Sequence, residues 1–296
     1  MIGTRHLSKS GVAVSDLGLG CASLAGIFSP VTEADARATI DGAFRAGLRY
    51  FDTAPSYGYG LSERRVGDSL RGLSGFTLSS KAGRLLAPGA MSDPGGWPAG
   101  LPFTPRFDYT YDGIMRSFED SLQRLGLSRI DIIYLHDIGA YTHGTENGPQ
   151  TFKTAMSEGY RALETLRRSK RIGAIGIGVN ETAVLLDALD HGDWDVFLLA
   201  GRYTLLEQAP LRDLFPACAK RGIDMVIGGP FNSGILAGGT TFDYGDIPLA
   251  VRTKVKAIAS ICLHHNVELP AAALQFCRAH PQVKSTILWV RAHPTS

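Results

Sequence analysis

The chain has few cysteines, no long hydrophobic run and almost no net charge. Its cysteines fall in no Cys-x-x-Cys pair, which argues against a disulfide framework or a zinc site; they are Cys21, Cys218, Cys262 and Cys277. No apolar run reaches the roughly 18 residues of a spanning helix, and the N-terminus has no apolar signal region. We therefore expect reduced, buried thiols, no metal site, no membrane partner and a cytoplasmic location.

Charge and composition indicate an ordinary globular protein. Thirty Lys and Arg against 28 Asp and Glu give a net charge of +2, and no block of like charge suggests a nucleic-acid partner. With 296 residues, 44% of them hydrophobic, the chain can bury one large core. Because barrels of alternating strands and helices use about 250 residues as one unit, we expect residues 1–296 to form a single domain.

Short apolar runs alternate with amphipathic helical patterns along the whole chain. Eight strands are predicted, at Leu17–Cys21, near Tyr50, and at Phe76–Gly83, Asp131–His136, Ala174–Val179, Asp195–Ala200, Asp224–Gly229 and Lys284–Trp289. This order predicts a (β/α)8 TIM barrel, preceded by a short hairpin over Leu7–Val14 that closes its floor. A doubly wound sheet fits the same alternation, but no Gly-x-Gly-x-x-Gly follows the first strand.

Two long segments are predicted to be loops at the same face. The first, 85–109, is rich in Pro and Gly and carries Trp97, which favours a cover over the substrate. The second, 137–150, contains His143 and several Gly and Thr residues.

Four polar residues follow or end consecutive predicted strands; they are Asp52, Tyr57, Lys81 and His136. The carboxyl ends of the strands of a parallel barrel share one face, so these side chains are expected to meet there. A free phenol has a pKa of about 10, and an ammonium beside it would stabilise the phenolate. We therefore expect Asp52 to hold Lys81 charged beside Tyr57. The alternative is a plain buried salt bridge with polar neighbours.

This pattern resembles the aldo-keto reductase family over nearly the whole chain. The matching segments are LGLGCASLAG, FDTAPSYGYGLSERRVGDSL, LSSKAGR, RLGLSRIDIIYLHD, LRRSKRIGAIGIGVNE and GGPFNSGILAGG. The resemblance implies that Tyr57 exchanges a proton with the substrate and that His136 orients the substrate oxygen. It also implies a nicotinamide cofactor, NAD or NADP.

The resemblance further implies a set of cofactor-binding residues. A Gly-rich segment after the seventh strand would bring backbone amides close to the pyrophosphate, and Asn180 would hold the carboxamide. The full set is Gly20, Asp52, Asn180, Gly229, Pro230, Phe231, Asn232, Ser233, Gly234, Leu236 and Arg291. Gly228 departs from the family, in which a tyrosine commonly covers the nicotinamide ring.

The C-terminal sequence departs further from the family pattern. Trp289 stands where relatives have glycine, Arg291 is the one remnant of a phosphate-gripping arginine, and the family's final helices are absent. We expect a truncated C-terminal end that leaves an apolar flank. Either a shortened chain or a partner subunit, as in a homo-oligomer, would account for it.

The branch that the chain resembles oxidises cyclic hemiacetals. The expected activity is therefore an NAD(P)-dependent oxidation of an aldose such as L-fucose, or of pyridoxal, to the lactone, with Tyr57 as proton acceptor. Two alternatives stay open: an NADPH-dependent aldehyde reductase, and a catalytically weak barrel that senses its cofactor.

Overall fold

Eight parallel strands form a closed barrel in the computed structural model, which describes residues 2–27, 29–89 and 96–289. The strands are β1 (Thr4–His6), β2 (Ala13–Ser15), β3 (Leu17–Gly20), β4 (Tyr50–Asp52), β5 (Thr77–Ala82), β6 (Arg84–Pro88), β7 (Phe103–Phe107), β8 (Ile132–His136), β9 (Ala174–Val179), β10 (Val196–Ala200), β11 (Asp224–Gly228) and β12 (Val283–Leu288). The strand order around the barrel is β10-β11-β12-β3-β4-β5-β8-β9, and the remaining strands form two small hairpins. The predicted barrel is confirmed.

Helices connect the barrel strands and cover their outer face. Thr32 and Thr110 each accept a backbone N–H at a helix N-terminus, which fixes where α1 and α3 begin. The helices are α1 (Glu33–Arg45), α2 (Leu61–Leu70), α3 (Tyr111–Leu125), α4 (Ala140–Thr154), α5 (Tyr160–Arg168), α6 (Thr182–Ala188), α7 (Leu214–Lys220), α8 (Leu249–His264) and α9 (Leu269–Ala279).

 The last of these, Leu269–Ala279, packs against β12.

The period of two along each strand sorts side chains between the lumen and the helices. In β8, Ile133 and Leu135 face the outer helical layer, while Ile132 and Tyr134 belong to a cluster inside the barrel. His136 follows the inward set at the carboxyl end of the strand, where it lines a cavity. The same alternation in neighbouring strands places further polar side chains at that end.

The N-terminal hairpin seals the opposite end of the barrel. Strands β1 and β2 pair in antiparallel fashion, with Arg5 opposite Val14. Leu7 and Val14 are 1% exposed and pack against residues that begin barrel strands, such as Ile132 and Val196. The predicted hairpin at the barrel floor is thus present, and it is an apolar plug.

Both segments predicted as loops contain regular structure, so these two predictions were wrong. Within 85–109, β6 and β7 form an antiparallel hairpin in which Leu86 pairs with Pro105. Within 137–150, α4 begins at Ala140 and changes direction at Gly144, whose φ of 73° is non-helical. Residues Ala155–Gly159 then form a π-helical turn that leads into α5. The hairpin and α4 both stand beside the carboxyl end of the barrel, so their predicted place at this face is confirmed.

Candidate active site

Asp52 and Lys81 form a buried ion pair in the barrel lumen. Lys81 Nζ lies 2.6 Å from Asp52 Oδ2, and their side chains are 2% and 5% exposed. Lys81 Nζ also donates to the Thr53 carbonyl oxygen at 2.9 Å. Two fixed acceptors thus hold the ammonium in place. Removing either charge of the ion pair would leave the other charge buried without compensation.

Tyr57 stands next to this ammonium on the loop after β4. Lys81 Nζ is 4.7 Å from the centroid of the phenol ring. The ring also meets His136 edge to face, with 6.0 Å between ring centroids. The structure therefore brings together all four polar residues predicted from the strand ends.

Burial has a larger effect on Tyr57 than we expected from the sequence. Burial raises the pKa of Tyr57, Lys81 lowers it, and Asp52 raises it again, so that the net direction is upward. For Lys81, burial disfavours the charge, but Asp52 and then Tyr57 outweigh this effect and raise its pKa. At neutral pH the site therefore holds a neutral phenol beside a charged ammonium. The ammonium acts in the expected direction without making the phenol acidic overall.

His136 is neutral in this environment. Burial lowers its pKa well below the ordinary value, and Arg84 and Lys81 add to the effect. Its Nε2 atom lies 3.3 Å from Asp137 Oδ2, while the buried Nδ1 atom has no hydrogen-bond partner among the described residues. A neutral imidazole can donate one hydrogen bond to a substrate oxygen without placing a charge there.

A chain of hydroxyl groups supports the ion pair from below. Ser79 Oγ donates to Asp52 Oδ1 at 2.6 Å and lies 3.0 Å from the Tyr50 hydroxyl. The Tyr50 hydroxyl is in turn 3.0 Å from that of Tyr134. Both carboxylate oxygens of Asp52 are thus engaged, which fixes the orientation of the group that holds Lys81.

One cavity of about 230 Å³ connects the polar cluster with the strand ends on the other side of the barrel. Asn180 and Gly229 line it, together with all four polar residues, and Trp97 stands 5.7 Å from Tyr57 between ring centroids. The full lining is Ala22, Ile27, Asp52, Tyr57, Lys81, Trp97, His136, Asp137, Tyr141, Gly178, Val179, Asn180, Leu198, Ala200, Gly228, Gly229, Tyr244, Ile287 and Trp289. Trp97 therefore lies in the cavity wall beside Tyr57, and its role as a cover over the substrate stays a prediction.

The Gly-rich segment after β11 has the backbone of an anion-binding loop. Phe231 has φ −102° and ψ 11°, and Asn232 and Ser233 follow with φ of 46° and 60°. Successive left-handed residues turn backbone N–H groups toward one side, as in anion-binding turns, although the Asn232 N–H already donates to the Gly229 carbonyl. Gly229, at φ 58°, adds no side chain where it lines the cavity. The segment thus fits a dinucleotide.

Two other residues predicted to bind the cofactor, Asn232 and Leu236, have buried side chains. Asn232 points inward, accepting from Thr204 Oγ1 at 2.5 Å and donating to the Gly201 carbonyl at 3.1 Å. Leu236 is fully buried, and its N–H donates to the Phe231 carbonyl within the loop.

Of the remaining residues predicted to bind the cofactor, Pro230 and Gly234 belong to the Gly-rich segment and Gly20 lies in β3. Gly20 ends β3 beneath Trp289, so close that a Cβ there would lie 2.7 Å from the indole. Pro230 and Gly234 complete the loop, in which Gly234 takes φ 112°. Arg291 lies outside the described residues.

The sequence did not predict three polar residues of the cavity wall. Asp137 follows His136 directly, Tyr141 lies on α4, and Tyr244 sits on a turn held by a hydrogen bond from its N–H to Ser233 Oγ at 3.0 Å. The adjacent Asp243 pairs with both terminal nitrogens of Arg202, at 2.9 and 3.2 Å. The Leu-His-Asp run was a visible signal for Asp137, whereas nothing local marked Tyr244.

Comparison with known proteins decides the family. The sequence pattern of the Aldo/keto reductase family matches residues 16–293. The chain belongs to the aldo-keto reductase family. It is 42% identical to pyridoxal 4-dehydrogenase of Microbacterium luteolum, covering 97% of this chain and 89% of that protein. It is 37% identical to D-threo-aldose 1-dehydrogenase of a Pseudomonas species, covering 95% and 87%.

A solved aldo-keto reductase shares the fold. The holo form of AKR11C1 from Bacillus halodurans superposes with a TM-score of 0.78 at 26% identity, covering 99% of this chain and 87% of that one. The predicted family and enzyme class are confirmed, and this aldo-keto reductase is an NAD(P)-dependent oxidoreductase. Among the described residues, no helix could cross a membrane and no cluster of His, Cys, Asp and Glu could hold a metal.

Proposed function

We propose that this aldo-keto reductase oxidises a cyclic hemiacetal, either an aldose such as L-fucose or pyridoxal, to its lactone. The observation that carries the proposal is the joint lining of one cavity by the Asp52–Lys81 pair, Tyr57, His136 and the glycines that open the Gly-rich segment, Gly228 and Gly229. The names of the two relatives, a pyridoxal dehydrogenase and an aldose 1-dehydrogenase, support this substrate class.

Each of the four residues has a role in the proposed step. Tyr57, as phenolate, takes the proton of the anomeric hydroxyl, while neutral His136 orients the hydroxyl oxygen. A nicotinamide dinucleotide, held by Asn180 and the Gly-rich segment, would supply the hydride acceptor; loss of the hydride from the anomeric carbon and of the hydroxyl proton would leave the lactone carbonyl. Lys81 stabilises the phenolate, and Asp52 keeps Lys81 charged and in place.

The raised pKa of Tyr57 gives the reaction a pH signature. Burial keeps the phenol protonated at neutral pH, with Lys81 opposing this effect. Because the oxidation needs the phenolate, its rate should rise with pH throughout the range above neutrality. Reduction of an aldehyde needs the phenol as a proton donor and should not rise in that range.

The protonated phenol favours one second candidate. An NADPH-dependent aldehyde reductase would use Tyr57 in the form that burial stabilises, so this direction is retained as the alternative. A barrel that only senses its cofactor would show no turnover in either direction.

The finer features of the proposal are still predictions. NAD is the proposed cofactor, on the resemblance to the hemiacetal-oxidising branch and because Arg202 is already paired with Asp243. Binding would use Asn180 and the backbone of residues 229–236. The cytoplasm as location and a homo-oligomeric state complete the proposal.

Initial rates of absorbance change at 340 nm provide the test. The purified chain would be assayed with NAD or NADP plus L-fucose or pyridoxal, and with NADH or NADPH plus a simple aldehyde. Faster oxidation of a hemiacetal with NAD, together with lactone as the product, is expected. Faster aldehyde reduction with NADPH would support the alternative, and no turnover with any pair would refute both.

A further inference from the structure

Asp137 is held firmly at the cavity wall in an uncommon backbone conformation. Its φ of 50° lies in the left-handed region, which Asp tolerates better than most side chains. Its N–H donates to the Gly178 carbonyl at 3.0 Å, and its own carbonyl accepts from Tyr109 at 3.1 Å and lies 2.8 Å from His143 Nε2. These contacts fix the peptide on both sides, so the carboxylate has little freedom to leave the cavity.

Arg84 holds the charge of this carboxylate. Its Nη2 atom forms an ion pair with Asp137 Oδ2, and its guanidinium stacks over the ring of Phe107, 5.1 Å from the centroid. Burial raises the pKa of Asp137, and Arg84 and then Lys81 oppose the rise without reversing it. Arg84 does not line the cavity, and so it supports the carboxylate from behind.

The other contact of Asp137 is with His136. Asp137 Oδ2 lies 3.3 Å from His136 Nε2, so a hydrogen-bond donor and an acceptor stand side by side on the wall. Both contacts fall on Oδ2, and Oδ1 has no hydrogen bond among the described residues. An ionised carboxylate can only accept hydrogen bonds, which suits a hydroxyl group.

Two oxygens on neighbouring carbons of a sugar could each meet one of these two groups, because His136 Nε2 and Asp137 Oδ2 are only 3.3 Å apart. If His136 binds the anomeric oxygen, the oxygen on the next carbon falls beside Asp137. We infer that Asp137 is a substrate-binding residue that accepts a hydrogen bond from the hydroxyl next to the anomeric hydroxyl. The inference rests on the proposed function and narrows it: the preferred substrates are aldoses with a free 2-hydroxyl group.

The test compares an aldose with its 2-deoxy analogue, using the full-length chain and NAD. Because a hydrogen bond to a charged acceptor is among the stronger ones, the wild type should prefer the 2-hydroxy sugar by about 30-fold in kcat/KM. Asp137→Asn, which keeps the shape and loses the charge, should reduce this preference to about threefold. Asp137→Ala should abolish it.

The preference ratio separates recognition from damage to the fold. A variant with partly misfolded protein would lose activity on both sugars equally and keep the ratio. Asp190→Asn is the matched control, since Asp190 is a carboxylate with 81% of its side chain exposed that pairs with Arg221. This control should retain the wild-type ratio.

The outcomes distinguish the inference from the proposed function. Turnover of hemiacetals with an Asp137→Ala ratio equal to that of the wild type would overturn the inference and leave the function standing. Turnover of pyridoxal without turnover of any aldose would also overturn it. Absence of turnover on every hemiacetal would refute the proposed function itself.

Discussion

The two ends of the barrel lumen are built from the same strands and have opposite character. At the amino end, Ile132 and Val196 pack against Leu7 of the hairpin in an apolar plug. At the carboxyl end, the same inward register presents His136 in β8, Lys81 in β5 and Asp52 in β4. Along β8, three residues separate Ile132 in the plug from His136 in the candidate site.

This contrast shows how the fold divides stability from chemistry. The plug contains residues that need only to be buried, and its energy comes from apolar area. The site buries charges, which is costly unless each is paired and hydrogen-bonded. Changes at the two ends should therefore separate, with stability lost at one and turnover at the other.

The largest expected effect follows from Lys81→Met at the carboxyl end. Loss of the ammonium should reduce turnover by about 10³-fold, since Tyr57 loses the charge that stabilises its phenolate. Leaving Asp52 unpaired should also cost about 3–5 kcal/mol of unfolding free energy. The control is Asp52→Asn/Lys81→Met, which should recover stability without recovering activity; recovery of both would show that the ion pair serves the fold alone.

A change at the amino end should have the converse effect. Leu7→Ala should lower the unfolding free energy by about 3 kcal/mol, because a fully buried leucine leaves a cavity. Its kcat at 25 °C should stay within about twofold of the wild type, and Leu7→Met should cost less than about 1.5 kcal/mol. Urea unfolding and steady-state rates on the same samples would check this. A large loss of kcat in the folded Leu7→Ala protein would contradict the separation of the two ends.

A pH series should reveal the buried neutral histidine. The folded state keeps His136 uncharged, while the unfolded chain binds a proton below its ordinary pKa of 6.5. The stabilisation is thus present above pH 6.5 and is lost as pH falls, by about 1.4 kcal/mol per unit. The unfolding free energy should decrease more between pH 7 and pH 5.5 for the wild type than for His136→Gln. An equal fall would mean that His136 is protonated in the fold.

The smallest effect is expected one layer below the site. Ser79→Ala removes one of the hydrogen bonds to Asp52 and should cost about 1 kcal/mol of stability and about fivefold in kcat. Steady-state kinetics with a check of cofactor affinity would measure it. A loss as large as that of Lys81→Met would place the serine among the groups that act on the substrate.

Much of this arrangement could be predicted because strand alternation and strand ends are local features. The positions of Asp52, Lys81 and His136 after apolar runs were enough to predict that they meet. The plug was also predictable, since Leu7 and Val14 flank a Ser-Gly turn in a short hairpin.

The remainder depends on tertiary contacts that the local sequence does not encode. The β6–β7 hairpin contains Pro88 and Pro105, which argue against strands in general and are tolerated in a two-stranded hairpin that has only edges. Helix α4 carries Gly144 and Pro149, so its pattern is that of a loop. The pKa of Tyr57 could not be judged either, because the extent of burial outweighs the effect of Lys81.

The most direct test of the account is a single-turnover measurement on Tyr57→Phe. Hydride transfer from a hemiacetal to NAD would be followed at 340 nm, and cofactor binding by the fluorescence of the cavity tryptophans. The account predicts cofactor affinity within about threefold of the wild type and a rate reduced by about 10³-fold or more. A hydride-transfer rate equal to that of the wild type would contradict it.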